Sequence, residues 1–528
     1  MSLLAVDNLS LQINDTDILH DVSFAVQPRE IVALTGESGS GKSITALSVM
    51  GLLPQGTVVS GQVQFDGQSL LDLPEPAFCR LRGNDIAMVF QEPMTALNPV
   101  QTIGAQVAEA IRIHQRITRR AAWTHAAKTL DRVGLPNAQF PLNTYPHQLS
   151  GGQRQRVVIA IAIAMRPKLL IADEPTTALD VTTQATVLAL LKDLVADFDM
   201  GLLIITHDLA VVRQFADQIV VMQKGQVVEA GPTEVVFDQM RHPYTRSLFA
   251  ASQHQVDLPA PPKPAPLLSV KDVTRIYKRP AQTLFGKATA FTAVQDVSFE
   301  LHKGERVGLV GESGCGKSTL TRAILGLDAT QSGEITLGGL PVFSGNAPQH
   351  SVQRKMQVVF QDPYGSFNPR HKVARLIAEP LYLSDNPPQG AVRAELIAQT
   401  LQDVGLTPED AEKYIHEFSG GQRQRIAIAR ALISEPELII FDEAVSALDV
   451  SVRAQILDLL ADLCRKRPLA YLFISHDLSV VRSVTDRVLV MQAGKIMEQG
   501  QTETVFQDPK HPYTKALLDA APRLDSPV

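Results

Sequence analysis

The chain has 528 residues, 45% apolar and 20% charged, with 49 Lys and Arg against 55 Asp and Glu for a formal charge of −6. Such a composition supports a buried core, excludes wholesale disorder and collagen-like or mucin-like chains, and argues against the strongly basic surface expected of a nucleic-acid-binding protein. Three cysteines, Cys79, Cys315 and Cys464, are too few and too scattered for a disulfide framework or a metal cluster and suit a reducing compartment. The opening MSLLAVDNLS has no basic n-region and no adequate h-region, so it does not read as a secretory signal. The longest strongly apolar stretch, Val157 to Met165, is half the length a membrane helix needs.

In chain order, Ile31 to Thr35 predicts a buried strand. It runs into GESGSGKS, a G-x-x-x-x-G-K-S turn whose backbone N–H groups can wrap a phosphate. Gly36, Ser38, Gly39 and Gly41 form the loop, Lys42 reaches the β- and γ-phosphates, and Ser43 coordinates Mg²⁺. The segment from about Ile103 to Leu142 is rich in Ala, Gln, Arg and His and predicts an inserted helical subdomain. Ser150, Gly151, Gly152 and Gln153 then form a glycine turn feeding a helix, where N-terminal N–H groups and a serine hydroxyl suit a second grip on a γ-phosphate. Leu169 to Ala172 predicts a strand that ends in Asp173, placed for the Mg²⁺ shell, and Glu174, placed to orient and polarise a water. Leu202 to Thr206 predicts a further strand, followed by His207.

The same text is then written again. GESGSGKS returns 275 residues on as GESGCGKS, with Gly311, Ser313, Gly314, Gly316, Lys317 and Ser318; LSGGQRQR returns 269 residues on as FSGGQRQR, with Ser419, Gly420, Gly421 and Gln422. Asp442 and Glu443 match Asp173 and Glu174, His476 matches His207, and HPYT occurs at 242–245 and 511–514. Ile439 to Phe441 and Leu472 to Ser475 repeat the strand pattern. The sequence therefore predicts two tandem α/β P-loop NTPase domains, each with a helical subdomain, over 1–250 and 267–528. They are joined by a Pro-rich extended linker, 251–266, containing Pro259, Pro261, Pro262, Pro264 and Pro266.

With SGGQ beside the phosphate loop, both halves resemble the ATP-binding-cassette (ABC) family, whose nucleotide-binding domains use ATP and Mg²⁺. The resemblance covers nearly the whole chain. It implies that Gln91 (VFQE) and Gln361 (VFQD) link Mg²⁺ or water to a transport partner. It makes Ser150 to Gln153 and Ser419 to Gln422 the signature loops, Asp180 and Asp449 the D-loop aspartates, and His207 and His476 γ-phosphate contacts. It further implies two composite ATP sites formed head-to-tail within the chain, each phosphate loop meeting the signature loop of the other half. The family stacks adenine on an aromatic residue before the first phosphate-loop strand. Aligning 3–13 with 267–277 puts Tyr277 there in the second half and Ile13 in the first. Ala444 stands where the first half has Pro175. Cys315, in place of Ser40, reads as a tolerated small residue, although a helix N-terminus favours a reactive thiolate.

FQEPMTALNP, FQDPYGSFNPR and the tails RHPYTRSLF and KHPYTKALL are similar to the oligopeptide, dipeptide and nickel importer ATPases, and the fused form to microcin-, glutathione- and peptide-importer subunits. This resemblance implies the ATP-hydrolysing, energy-coupling subunit of a bacterial importer for peptides or peptide-like or metal-chelate solutes. It implies a peripheral position on the cytoplasmic face of the inner membrane. The partners implied are two integral-membrane permease subunits and an extracytoplasmic solute-binding protein, with docking clefts at 92–148 and 362–417. No nucleic-acid partner is expected, and no iron–sulfur cluster, because no cysteine follows His511 and none lies between His242 and Cys315. The alternative is a soluble ABC ATPase acting on ribosomes or nucleic acid.

Overall fold

The computed structural model describes every residue except 1, 92, 178, 262, 280–288, 363, 364, 385, 447 and 525–528. Pro262 of the linker and the motif residues Glu92, Ala178, Pro363, Tyr364 and Ala447 lie outside the described residues. The chain divides into two compact units, one built chiefly from residues 1–253 and one from 254–448 and 452–521.

The first unit begins with strands β1 (Leu4–Ile13), β2 (Thr16–Val26) and β3 (Ile31–Thr35), then helix α1 (Lys42–Met50), β4 (Thr57–Phe65), β5 (Gln68–Ser69), α2 (Glu75–Leu81) and β6 (Ile86–Val89). Helices α3 (Pro93–Ala96), α4 (Ile103–His114), α5 (Arg119–Arg132) and α6 (Gly151–Ile163) follow. The unit closes with β7 (Leu169–Asp173), α7 (Val181–Phe198), β8 (Gly201–Ile205), α8 (Leu209–Phe215), β9 (Gln218–Gln223), β10 (Gln226–Pro232), α9 (Thr233–Gln239) and α10 (Pro243–Ser252). A four-stranded sheet, β2-β1-β4-β5, is antiparallel throughout. The central sheet runs β10-β9-β3-β8-β7-β6, parallel except for the edge strand β10.

Every residue of β3, β7 and β8 is buried, as a parallel sheet covered on both faces requires. Alternation sorts them. Ile31, Ala33, Leu170, Ala172, Leu202 and Ile204 face the core shared with α4 to α7. Val32, Leu34, Leu169, Ile171, Leu203 and Ile205 face the core under α1 and the antiparallel sheet. The helical segment expected at 103–142 is present as α4 and α5. Thr102 and Thr118 cap them by accepting N–H groups of Ala105 and Ala121.

The second unit repeats this plan. Its central sheet runs Met356–Val359, Leu438–Asp442, Ala470–Ile474, Arg306–Val310, Arg487–Gln492 and Lys495–Gln501, and its antiparallel sheet is built on Pro266–Arg279 and Thr289–His302. Among the described residues its inserted part has the helices Val373–Ile377 and Gly390–Asp403 and three short 3₁₀ turns. One buried position differs: Arg306 stands where the first unit has Ile31. It is 2% exposed and donates to both carboxylate oxygens of Asp486 at 2.8 and 2.6 Å, and to the Pro259 carbonyl at 2.6 Å. Asp257 and His254 are also held within this unit, by Arg465 (2.5 Å) and Asp458 (2.7 Å). The stretch expected to be a linker is therefore narrower than 251–266. Ala251 and Ser252 still belong to α10, Pro266 opens a strand where its missing N–H costs nothing, and residues 254, 257 and 259 are pinned.

Candidate nucleotide site

Parallel pairing places the C-terminal ends of β3, β6, β7 and β8 on one edge of the central sheet, with Leu34 beside Ile205, Asp173 beside Ile205 and Val89 beside Ala172. Ligands of open α/β sheets bind outside these ends. The loop 36–41 leaves β3, Gln91 follows β6, Asp173 and Glu174 end β7, and His207 follows β8. The second unit brings the loop 311–316, Gln361, Asp442, Glu443 and His476 to the matching edge.

Gly36 is dictated by space and dihedral: its φ is 150°, and a Cβ there would lie 2.2 Å from the Met222 carbonyl oxygen. Gly311 repeats this at 2.1 Å from Met491. Lys42, 7% exposed, donates to the carbonyls of Gly36 (2.7 Å) and Glu37 (2.8 Å), and Lys317 to those of Gly311 (2.7 Å) and Glu312 (2.9 Å). Burial lowers the Lys42 pKa, opposed by Glu174 and Asp173. Ser38, Gly39 and Ser43, like Ser313, Gly314 and Ser318, are exposed on the rim of the loop, while Gly41 and Gly316 take left-handed φ values at the helix starts.

Asp173 is 6% exposed, and its Oδ1 has no hydrogen-bond partner. Burial raises its pKa, with the Ser43 hydroxyl pulling the other way. Burial likewise raises Asp442, reinforced by Glu443 and opposed by Lys317. A buried carboxylate oxygen without a donor, on a side chain bonded to the Ser43 hydroxyl, is an oxygen-bearing set that fits a hard divalent cation such as Mg²⁺.

Glu174 is the point of convergence. Gln91 Nε2 (2.8 Å) and Thr177 Oγ1 (2.8 Å) donate to its Oε2, and His207 Nδ1 lies 3.1 Å from Oε1. Its backbone is left-handed, φ 47°, and its N–H is held by the Ile205 carbonyl at 2.9 Å. Burial works to raise the carboxyl pKa, but the His207 ring, the Thr177 hydroxyl and Lys42 outweigh it and hold it at about 2. Glu443 has the same backbone, φ 52°, with its N–H on Ile474. Its carboxylate is held more loosely: His476 Nδ1 is 3.7 Å away, and Ser446, the counterpart of Thr177, donates to the Glu443 carbonyl instead. Burial again works upward and His476 downward, leaving the pKa lowered.

The signature serines cap helices. Ser150 Oγ accepts the Gln153 N–H and Gln153 Oε1 accepts the Ser150 N–H, and Ser419 and Gln422 do the same. Gly151 and Gly420 are exposed first-turn residues, whereas Gly152 and Gly421 let neighbouring helices approach. A Cβ at these two would lie 2.1 Å from Thr183 and 2.3 Å from Val452. Asp180 caps α7 through the Thr183 N–H. Tyr277 lies on the long strand Pro266–Arg279; its hydroxyl donates to Asp328 (3.0 Å) and the Arg275 guanidinium covers one ring face at 4.7 Å. Ile13 packs against the core instead. Cys315 is 6% exposed and burial pushes its pKa up, so the thiolate is disfavoured despite Lys317.

Sequence reasoning missed Thr177, Asp328 and the tyrosines of the two HPYT tails. Thr177 had a signal, lying three residues beyond Glu174 in DEPTTALD; the others reach the site only through the fold.

Fold and site together define a tandem P-loop NTPase. The profile described as ABC transporter matches residues 19–177 and 294–446, and that of the oligopeptide/dipeptide transporter C-terminal region matches 228–259 and 497–528. The peptidoglycan transport ATP-binding protein YejF of Agrobacterium fabrum is 47% identical over 527 residues, covering 98% of this chain and 96% of that protein. The glutathione import ATP-binding protein GsiA of Escherichia coli K12 is 46% identical over 564 residues, covering 99% and 90%. The solved structure of cbiO1 from Clostridium perfringens, described as part of the ABC transporter complex cbiONQ, is 27% identical with a TM-score of 0.41, covering 47% of this chain and 98% of that one. The chain belongs to the ABC transporter family, as an ATP-binding ATPase subunit with two cassettes in one polypeptide.

Proposed function

We propose that this chain hydrolyses MgATP to drive an importer of peptides or peptide-like solutes. The observation that carries the catalytic half is the convergence of Gln91, Thr177 and His207 on Glu174 at the edge where Lys42, Ser43 and Asp173 also lie. Lys42 and the loop N–H groups bind the phosphates; Ser43, Asp173 and Gln91 would hold Mg²⁺, which when bound would supply charge neutralisation at the phosphate oxygens. Glu174, held by Gln91, Thr177 and His207, orients and polarises the attacking water. His207 fixes that carboxylate and presents its ring to the γ-phosphate. Glu443, His476, Gln361, Asp442, Lys317 and Ser318 take the same parts in the second cassette. Tyr277, with Arg275 over one face of its ring, is the aromatic residue for adenine in the second cassette.

The transport half rests on the relatives, named for glutathione and peptidoglycan transport, and on the two C-terminal regions of oligopeptide/dipeptide type. Among the described residues, no helix is long and apolar enough to cross a membrane, so in this reading separate permease subunits form the pore. The chain docks on them at the cytoplasmic face of the plasma membrane, through the helical segments of both units, and an extracytoplasmic binding protein delivers the solute. Co-expression with any polytopic proteins encoded by its neighbouring reading frames tests this reading. A complex that survives detergent extraction and affinity purification on the ATPase is expected, and recovery of the chain alone contradicts it.

A further inference from the structure

The HPYT tails remain unexplained by ATP chemistry, yet both end on a phosphate loop. In the first unit Glu229 of β10 accepts the N–H groups of Arg241 (2.8 Å) and His242 (3.1 Å), which turns the chain toward the sheet edge. His242 Nδ1 accepts the Tyr244 N–H (3.2 Å) and caps α10, and Pro243 takes the first helical position, where no N–H is needed. Tyr244, 8% exposed, then accepts the Glu37 N–H on its hydroxyl at 3.1 Å across 207 residues. The second unit repeats each step. Glu498 holds Lys510 (2.8 Å) and His511 (3.0 Å), His511 caps the helix Pro512–Ala520, and Tyr513 accepts the Glu312 N–H at 3.1 Å across 201 residues.

The two ends of one peptide unit are thereby held. Its N–H, from Glu37, rests on Tyr244, and its C=O, from Gly36, accepts from Lys42 at 2.7 Å. The Gly311–Glu312 peptide is held by Tyr513 and Lys317 in the same way. When the lysine leaves that carbonyl to meet a phosphate, the tyrosine still anchors the N–H end of the first loop peptide. We propose that Tyr244 and Tyr513 are positioning residues that hold each phosphate loop in its nucleotide-binding shape, so that the tail motif sets ATP affinity from outside the loop. The histidine caps, the proline starts the helix and the tyrosine reaches the loop, which gives each residue of His-Pro-Tyr a task.

This inference rests on the phosphate-loop reading, and the test separates the two. The full-length Tyr244→Phe/Tyr513→Phe double variant keeps the rings and removes both hydroxyls. Titration with MgATP should show affinity weakened about three- to tenfold, as loss of a neutral hydrogen bond implies, with kcat at saturating ATP changed less than twofold. Hydrogen exchange of the Glu37 and Glu312 amides should quicken in the nucleotide-free variant. Leu248→Ala and Leu517→Ala, at buried positions on the same helices, should lower the unfolding temperature but leave the nucleotide-induced rise in that temperature intact, whereas the tyrosine variant should shrink that rise. Unchanged affinity and amide exchange in the tyrosine variant, or an equal loss of affinity in the leucine variants, overturns the inference while the phosphate-loop reading stands. Failure of the unaltered chain to bind MgATP overturns both.

Discussion

Thr177→Val isolates the grip on Glu174. Valine matches threonine in shape, so the change removes the 2.8 Å hydrogen bond to Oε2 and leaves Gln91 and His207 in place. A hydrogen bond to a charged group contributes about 1.5–3 kcal/mol. The Glu174 side chain is 15% exposed, so water restores part of this and about 1–2 kcal/mol is lost. That loss lets the carboxylate leave the position proposed for catalysis, in a cassette where the left-handed Glu174 backbone itself costs on the order of 1–3 kcal/mol. The expected outcome is a kcat about five- to thirtyfold lower, at about tenfold per 1.4 kcal/mol, with Thr177→Ser nearly normal. Phosphate release is measured in the full chain carrying Glu443→Gln, so that turnover reports the first cassette, with that background as the reference. Ser446→Ala in the reciprocal Glu174→Gln background should change kcat less than threefold, because Ser446 serves a backbone carbonyl. A drop below twofold for Thr177→Val, or equal drops for the two substitutions, would refute the reasoning.

Three further outcomes are expected. Since the folded Glu174 carboxyl is depressed from 4.5 to about 2, its stabilising contribution is full above about pH 4.5 and is lost as pH falls toward 2; calorimetry should show the stability gap between the parent and Glu174→Gln constant from pH 7 to 5 and reduced by about 1 kcal/mol at pH 4, and an unchanged gap contradicts the assignment. Arg306→Ile gives the second unit the residue of the first but strips Asp486 and Pro259 of their donor; it should cost about 3 kcal/mol, the low end for a broken buried pair because Asp486 keeps the residue 306 N–H, and lower the melting of that unit by about 6–12 °C, a fall under 2 °C being contrary. Tyr277→Ala should weaken nucleotide binding several-fold at the second cassette, since base–aromatic stacking contributes about 1–3 kcal/mol, while Ile13→Ala changes the first little; equal effects in a site-resolved titration count against this.

Repetition made much of this legible. A phosphate loop, a carboxylate pair and a histidine in the same order twice located the central sheet of each unit, because buried parallel strands are continuous apolar runs and the candidate site residues sit at their ends. What sequence could not give was contact across hundreds of residues: Tyr244 meets Glu37 only because β10 and α10 return to the sheet edge, and Arg306 finds Asp486 only through strand pairing. Nor could it give conformation. DE at a strand end reads the same whether or not Glu174 turns left-handed, and Thr177 and Ser446 look interchangeable until their hydroxyls are seen to face a carboxylate in one case and a carbonyl in the other.

Reconstitution tests directly whether this chain powers import. The chain is placed in liposomes with the permease subunits and binding protein proposed for it, with MgATP on the ATPase side and a labelled peptide or glutathione on the other. ATP-dependent uptake that is abolished by Glu174→Gln/Glu443→Gln is expected. A chain that hydrolyses ATP but neither joins the permeases nor drives uptake, and instead sediments with ribosomes in a salt-sensitive manner, contradicts it.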